Sequence, residues 1–136
     1  MINFNYETDF KLESEEQISK WITDAIASEE YKLEEINYVF CDDDYLHKLN
    51  VEFLKHDTLT DIISFDYSVG KIIQGDIFIS VERVADNAKD FGVSIEEELY
   101  RVMIHGVLHY CGYKDKTDDD AKEMRAKENH YLSQLV

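Results

Sequence analysis

The chain has 136 residues, of which 44% are hydrophobic and 32% charged, and it contains no proline. This length predicts one domain, residues 1–136, with a core that needs no disulfide bonds and no Pro-rich linker. The formal net charge of -16 is the opposite of the basic surface that a general nucleic-acid binder carries. No secretory signal and no apolar stretch of membrane-spanning length is visible, so we expect a cytoplasmic protein that binds neither membranes nor DNA.

The first half of the chain alternates strand and helix patterns. Residues 2–6 alternate apolar and polar side chains and predict a strand, and residues 14–17 have the capping-box pattern that opens an amphipathic helix. Residues 36–41 are rich in β-branched and aromatic side chains and predict a second strand. The acidic residues 42–44 favour the start of a helix. The apolar stripe of that helix comprises Tyr45, Leu46, Leu49 and Phe53.

The second half predicts two more strands, residues 62–65 and 75–80, and then three helices. The first of these helices ends at Gly92, the second opens with the capping-box pattern of residues 94–97, and Thr117 caps the last. The apolar positions of the last helix are sparse: Ala121, Met124, Tyr131, Leu132 and Leu135. We therefore expect an α/β domain with α+β-like features, in which helices cover a sheet of about four strands.

Two histidines four residues apart define the most informative stretch, residues 105–115. At about 100° of rotation per residue, His105 and His109 lie on nearly the same face of a helix, at the separation that lets two imidazoles bind one metal ion. The apolar residues around the pair predict that this helix lies in the core, and a buried neutral histidine needs a partner. These apolar residues are Val102, Met103, Ile104, Val107 and Leu108.

The residues that follow the pair favour a metal site over an accidental surface pair. Gly112 is able to take the left-handed conformation that ends a helix, and Asp115 comes three residues later on the returning chain. The stretch predicts one divalent metal ion held by His105, His109 and Asp115, with positions open for water and substrate. Cys111 is about 200° around the helix from His109, so we expect it to face away, and Cys41 and Cys111 to be free thiols.

The stretch from His105 to Tyr113 closely resembles the signature of the YbeY family, metal-dependent endoribonucleases of ribosomal RNA maturation. Two upstream segments are similar to that family in the same order, Leu49-Asn50 with residues 60–65, and residues 75–80. The resemblance implies a compact α/β fold, a zinc ion, and cleavage of single-stranded RNA near the 3′ end of the small-subunit rRNA. It also implies the small ribosomal subunit as partner and a role in ribosome quality control.

Two positions depart from the family pattern. The family usually has a third histidine where this chain has Asp115, one position after an aspartate that is Lys114 here. Aspartate is a competent zinc ligand, although its charge lowers the Lewis acidity of the ion and also suits manganese or iron. The family usually has an arginine where this chain has Leu54. The adjacent Lys55 and His56 are the available substitutes, but lysine lacks the planar fork of arginine.

The expected chemistry is metal-assisted hydrolysis, in which the ion activates a water molecule and polarises a phosphoryl oxygen. No general base is evident, because Gly106 stands where zinc proteases have glutamate. Asp61 and Asp76 are candidates for the base or for partners of the ligands. The candidate substrate-binding residues are Lys55, His56, Thr60 and Ser64. For Thr60 and Ser64, local backbone hydrogen bonding is the alternative.

Two other functions are compatible with the same residues. The spacing His-x-x-x-His-x-x-Gly-x-x-Asp matches the ligand spacing of metzincin proteases with the last histidine replaced, although the missing glutamate argues against a protease. Alternatively, the metal is structural and the chain is a ribosome-associated module without activity, which Leu54 and the acidic composition favour. Turnover of RNA separates the nuclease from the inactive module, and turnover of a peptide identifies the protease.

RNA binding by so acidic a chain requires a local basic site or a partner that supplies the contacts. The basic residues near the motifs are Lys55, His56, Arg101, Lys114 and Lys116. Such a small site neutralises only a few phosphates, so we expect weak binding to free RNA and better activity on a ribosomal particle.

Overall fold

Two central parallel strands organise the fold of this computed structural model, which describes residues 1–54 and 60–135. Within these residues one mixed sheet has the strand order β1-β2-β4-β3, in which only β3 is antiparallel to its neighbour. The strands are β1 (Ile2–Tyr6), β2 (Lys32–Cys41), β3 (Ile62–Asp66) and β4 (Ile72–Ser80). The helices are α1 (Glu15–Ser28), α2 (Asp43–Leu49), α3 (Val81–Phe91), α4 (Ile95–Tyr110) and α5 (Asp118–Ser133).

The two central strands begin earlier than their sequence patterns predict. β2 begins at Lys32 and β4 at Ile72, four and three residues before the predicted starts. A register irregularity between Leu33 and Glu35 interrupts the alternation of β2. A bulge of this kind hides the first residues of a strand from a search for strict period two.

The helices lie on both faces of the sheet, and α4 lies within the larger layer. α4 contacts α1, α3 and α5 as well as β3 and β4. The main core combines α1 and α4 with inward-facing residues of β2 and β4, such as Tyr38 and Ile77, which are fully buried. On the other face, Leu46 of α2 packs in a smaller cluster with Cys41 and Ile63. The expected layered α/β fold, with the helix of the two histidines in the core, is confirmed.

The close approach of α4 to the sheet depends on glycine at two positions. A Cβ atom at Gly75 would collide with the hydroxyl group of Tyr110 and lie 2.5 Å from the carbonyl oxygen of Phe65. That hydroxyl group lies 2.9 Å from the same carbonyl oxygen, to which it donates a hydrogen bond. A Cβ at Gly106 would lie 3.1 Å from Ile62 and from Ile77. These contacts bring the helix of the two histidines directly against β3 and β4.

Of the four predicted N-terminal helix caps, three form as expected and one does not. Asp42, Ser94 and Thr117 each accept a hydrogen bond from a backbone N–H of the first turn that follows. The predicted capping box at Ser14 is wrong, because Ser14 is left-handed (φ 58°) and its side chain makes no capping hydrogen bond. A capping side chain needs extended backbone at the cap residue. The Glu15 carboxylate instead accepts a hydrogen bond from Tyr6 at 2.5 Å.

The predicted stripe after residue 44 is only half buried. Leu46 is buried, but the α-helix ends at Leu49 and continues as a π-helical turn, Asn50–Leu54. This change of pitch shifts the face that a residue occupies, and Phe53 is exposed, with its ring edge against Phe65. Phe53, predicted as part of the apolar stripe of this helix, therefore lies outside the face of α2 that Leu46 buries.

Two further expectations concern cysteines and membranes. Both cysteines lie in the described part of the chain, where Cys41 and Cys111 are buried and form no disulfide. Burial raises the pKa of each thiol to about 12, which keeps both protonated and unreactive at neutral pH.

Across residues 1–54 and 60–135, no helix combines the length and the apolar character that a membrane crossing requires.

Candidate metal centre

The two histidines of α4 face each other across one helical turn. Their Nε2 atoms are 2.9 Å apart, and the rings are nearly perpendicular, with centroids 4.5 Å apart. Their neighbours in the helix, Met103, Ile104 and Val107, are buried and fix the helix on the sheet. The helix is therefore packed against the sheet on both sides of His105, and the two imidazole side chains project from its opposite face.

The chain after α4 turns back through a Schellman motif. Gly112 is left-handed (φ 96°), and its N–H donates to the His109 carbonyl at 3.0 Å. The next N–H, of Tyr113, donates to the Leu108 carbonyl at 3.0 Å, which completes the motif. This tight return brings Asp115 Oδ2 to 3.4 Å from the Nε2 atom of His105 and of His109.

The second ring nitrogen of each histidine has a hydrogen-bond acceptor, which fixes the tautomer. His109 Nδ1 lies 2.9 Å from the Tyr113 carbonyl oxygen, and His105 Nδ1 lies 2.7 Å from Glu128 Oε2. Since these oxygens accept, each Nδ1 carries the proton and donates it. In the neutral imidazoles both Nε2 lone pairs then face each other and the Asp115 carboxylate. Partners of this kind orient metal-binding histidines in known metal sites.

The resulting donor set fits a divalent metal ion. One ligand atom each from His105, His109 and Asp115 lies within 4.8 Å of the others. Three acceptor atoms at such distances repel one another unless a cation lies between them. The side chains are 23%, 32% and 46% exposed, so the site is also open on one side to solvent and substrate. The geometry is that of three ligands with room for others, as zinc has in catalytic sites.

Glu128 of α5 is a site residue that is not among those predicted from the sequence. It is buried, and Arg101 donates to its Oε1 at 3.0 Å while His105 donates to Oε2. Burial raises the pKa of Glu128, but the hydrogen bonds from His105 and Arg101 outweigh it and hold that pKa below its ordinary value. The spacing Met124, Glu128, Tyr131 places the glutamate within the buried stripe of α5, which is the signal that could have identified it.

The surroundings of His105 favour a positive charge. Burial lowers the pKa of His105, but the hydrogen bond and charge of Glu128 outweigh it, with help from the charges of Asp115 and Asp61, and raise that pKa above its ordinary value. A proton and a metal ion compete for the same Nε2 lone pair, so the acidic surroundings that favour one also favour the other.

A second, partly buried carboxylate, Glu29, holds the loop that carries Asp115. It accepts hydrogen bonds from the hydroxyl groups of Tyr113, at 2.6 Å, and Tyr131, and from Lys127 Nζ at 3.2 Å. Burial raises the pKa of Glu29, but these three donors outweigh it and hold that pKa below its ordinary value. Glu29 thus joins the end of α1 to the residue whose carbonyl group orients His109. Glu29 is also not among the residues predicted from the sequence.

The charge of Glu29 is expected to contribute to stability at neutral pH. Because the folded-state pKa is lowered, this contribution is complete above the unfolded value near 4.5 and is lost as pH falls through the folded value. Glu29→Gln should lower the free energy of unfolding by about 1.5–3 kcal/mol at pH 7. The difference from wild type should shrink as pH falls below 4.5, measured by urea unfolding. The exposed Glu30→Gln is the control, and an equal loss at every pH would contradict the prediction.

Asp61 and Asp76, the two candidate bases, occupy very different places. Asp61 lines a cavity that also contains His105, and burial raises its pKa against the opposing charge of the histidine. Asp76 alternates with the buried Ile77 along β4, so its side chain lies on the face of the sheet opposite α4, where Asn37 donates to it at 3.1 Å. The structure brings Asp61 near the metal ligands and does not bring Asp76 there.

The candidate substrate-binding residues are only partly placed. Lys55 and His56 lie outside the described residues. The hydroxyl group of Thr60 donates to the Ile62 carbonyl at 3.3 Å, which is the local backbone alternative to a role in binding. Ser64 is exposed on β3, beside the hydroxyl group of Tyr110.

The remaining candidate positions for RNA binding differ in their exposure and in whether their charge is already paired. Leu54 is exposed at the end of the π-helical turn. Arg101 is engaged with Glu128, whereas Lys114 and Lys116 are exposed on either side of Asp115. Two flexible lysines therefore provide the basic charge next to the candidate metal ligands.

Comparison with known proteins identifies the family. A family model described as Endoribonuclease YbeY matches residues 2–136. The chain belongs to this family. A relative named Endoribonuclease YbeY from Flavobacterium johnsoniae is 66% identical over 133 residues, which cover 98% of this chain and 96% of the relative. Another of that name from Christiangramia forsetii is 52% identical over 132 residues, covering 97% of this chain and 92% of the relative.

The fold agrees with the family assignment. A protein from Thermotoga maritima, whose structure was determined in solution, superposes with a TM-score of 0.72 at 26% sequence identity, covering 99% of this chain and 89% of that chain. The resemblance of residues 105–113 to the YbeY family is thereby confirmed. The family assignment favours the nuclease over the metzincin alternative, whose glutamate position is Gly106, packed against β3 and β4.

Proposed function

We propose that this chain is a metal-dependent endoribonuclease that cleaves single-stranded RNA during ribosomal RNA maturation, as one domain comprising residues 1–136 in the cytoplasm. Membership of the family and the name Endoribonuclease YbeY of its relatives support this activity. The observation that carries it is the convergence of ligand atoms from His105, His109 and Asp115 on an open side of α4.

The proposed ligands of the ion are His105, His109 and Asp115, and the proposed ion is zinc, for which two imidazoles and one carboxylate are a suitable set. A divalent ion at this position supplies an activated water molecule and a polarised phosphoryl oxygen. Glu128 and the Tyr113 carbonyl group orient the two imidazoles, and the Schellman motif at Gly112 places Asp115. Each of these contributions keeps ligand atoms in position before the ion or the RNA arrives.

The proposed substrate is the region near the 3′ end of the small-subunit rRNA, within a ribosomal particle. The charge of this chain supports a particle over free RNA, because a net charge of -16 repels a polyanion at long range. Near the ligands, Arg101 is neutralised by Glu128, and the accessible cations there among the described residues are Lys114, Lys116 and the mostly exposed Arg125. The contacts of the particle would then position the strand.

Weak, weakly salt-dependent binding to free RNA is therefore expected. A site that neutralises two or three phosphates should give a much shallower slope of log affinity against log salt than the roughly 6–10 contacts of a strong nucleic-acid binder. Binding of a single-stranded oligonucleotide, measured by fluorescence anisotropy between low and moderate salt, checks the slope. Cleavage should be faster on small-subunit particles than on the same RNA free in solution. Tight binding to free RNA with a steep salt slope would contradict this prediction.

Metal analysis combined with an RNA cleavage assay tests the proposed function directly. Purified protein should contain a divalent ion, cleave single-stranded RNA internally, and lose that activity when a chelator removes the ion. Returning zinc should restore cleavage, and manganese or iron in parallel samples identifies the preferred ion. Cleavage at an undiminished rate by metal-free protein would overturn the proposed mechanism, and a metal-loaded protein without activity would favour the structural-metal alternative.

A further inference from the structure

A cavity beside the candidate metal centre has no role in the function proposed so far. It has a volume of about 300 Å³, at the lower end of the range of small-molecule sites. α3, α4, α5 and the start of β3 surround it, and His105 lies in its wall. A molecule in this cavity would therefore be adjacent to a ligand of the metal while lying outside the metal site itself.

The wall of the cavity contains a buried carboxyl group that the fold does not pair. Glu98 of α4 is 6% exposed and lines the cavity, and within residues 1–54 and 60–135 its side chain has no hydrogen-bond or ion-pair partner. Arg101 and Arg125 also line the cavity, but they lie 3.0 and 3.6 Å from Glu128 Oε1 and form no ion pair with Glu98. The carboxylate oxygens of Glu98 reach the solvent of the cavity, where they are able to accept hydrogen bonds from a ligand.

The surroundings of Glu98 specify that ligand further. Burial and the charge of Asp61 raise the pKa of Glu98 against the opposing charges of Arg101 and Arg125, and burial also raises the pKa of Asp61. A second metal ion does not fit, because the group of metal-binding side chains that converges among the described residues is His105, His109 and Asp115. The cavity thus offers carboxyl oxygens to N–H donors of an otherwise uncharged group.

An aromatic ring and a cation complete the set of contacts. Phe91, the last residue of α3, is 63% exposed and lines the cavity. Exposed aromatic rings stack on bases of single-stranded nucleic acids, which makes this ring suited to a planar heterocycle. Arg125 extends from α5 into the same cavity and is mostly exposed, so its guanidinium group is able to reach a phosphate.

We propose that this cavity binds a nucleobase that carries an exocyclic amino group, from the nucleotide next to the scissile phosphate, with Glu98 accepting the amino N–H and Phe91 stacking on the ring. The proposal rests on the proposed endoribonuclease function, which places the phosphate beside His105. Adenine, cytosine and guanine each have an amino donor, whereas uracil has a carbonyl oxygen where cytosine has its amino group. The cavity accordingly selects against uracil at one position of the RNA.

Binding of nucleoside monophosphates to the metal-loaded protein tests this selection without requiring cleavage. Cytidine and uridine 5′-monophosphates are a matched pair, and calorimetric titration should show cytidine monophosphate binding about 10-fold more tightly or better, the usual effect of leaving a buried acceptor unpaired. Glu98→Gln should bring the two within about 3-fold, because an amide that flips serves either base. The exposed neighbour Glu97→Gln should keep the wild-type preference, and Phe91→Ala should weaken both nucleotides similarly.

Each result decides between the cavity and the enzyme. Equal binding of the two nucleotides by wild-type protein, or a preference that survives in Glu98→Gln, would overturn the proposed base site. Binding of free arginine or spermidine without nucleotide binding would also overturn it and identify a cationic ligand. RNA cleavage without any base preference would remove the base site and leave the endoribonuclease function intact. Base-selective binding by a protein that cleaves no RNA would contradict the proposed endoribonuclease function and support the base-binding site.

Discussion

His109→Ala should abolish metal binding and RNA cleavage together while leaving the domain folded. The substitution removes one of three ligand atoms and also the hydrogen bond to the Tyr113 carbonyl oxygen. We expect activity to fall by more than the roughly 10–100-fold that loss of a ligand's outer partner causes. The fold should persist, because Met103 and Ile104 anchor α4 on the sheet independently of the histidine. Metal content by mass spectrometry, cleavage rate and circular dichroism measure the three effects.

His130→Ala is a suitable control for this experiment. His130 is an exposed histidine of α5 that hydrogen-bonds Gln134 at 3.3 Å, so its loss removes an imidazole without touching the ligand set. This variant should keep both the metal and the activity. Retention of a stoichiometric ion by His109→Ala would contradict the proposed ligand set, and a metal-free variant that still cleaves RNA would contradict the mechanism.

The parts of the site that the sequence predicts are those encoded by local geometry. The spacing of His105 and His109 and the left-handed turn at Gly112 depend on residues that are close in the chain, so the convergence with Asp115 follows from helix periodicity and one helix ending. The number and order of the strands also follow from local patterns, whereas the starts of β2 and β4 do not. Alternation along β4 also predicts the face on which the Asp76 side chain lies, because the neighbouring Ile77 faces inward.

The parts that the sequence does not predict depend on contacts between distant residues. Glu128 meets His105 across 23 residues, and Glu29 meets Tyr113 across 84, so no local pattern pairs them. Both carboxylates are charged residues, for which exposure is the ordinary expectation, Glu128 in α5 and Glu29 directly after α1. The capping-box pattern at Ser14 likewise does not reveal that the next residue, Glu15, accepts a hydrogen bond from Tyr6 of β1.

Glu128→Gln should weaken metal binding by about 10–100-fold, although Glu128 touches no metal ligand atom. The carboxylate accepts from His105 Nδ1 and so keeps the Nε2 lone pair directed at the site. A glutamine of the same size loses the charge and is free to turn its NH₂ group toward the imidazole. It also leaves Arg101 without its partner in a mostly buried position. Breaking a buried pair by removing one member costs about 3–5 kcal/mol of unfolding free energy, and the neutral amide should retain part of that.

Arg101→Met separates the two roles of Glu128. This variant removes the same ion pair but leaves the hydrogen bond between Glu128 and His105, so it should lower stability while changing metal affinity by much less than Glu128→Gln. In the double variant, stability should partly recover, because neither partner remains as an unpaired buried charge, whereas metal affinity should stay low. Urea unfolding of metal-free protein and competition with a chromophoric chelator measure the two quantities. Equal loss of metal affinity in Arg101→Met and Glu128→Gln would show that Glu128 acts through general stability alone and does not position His105.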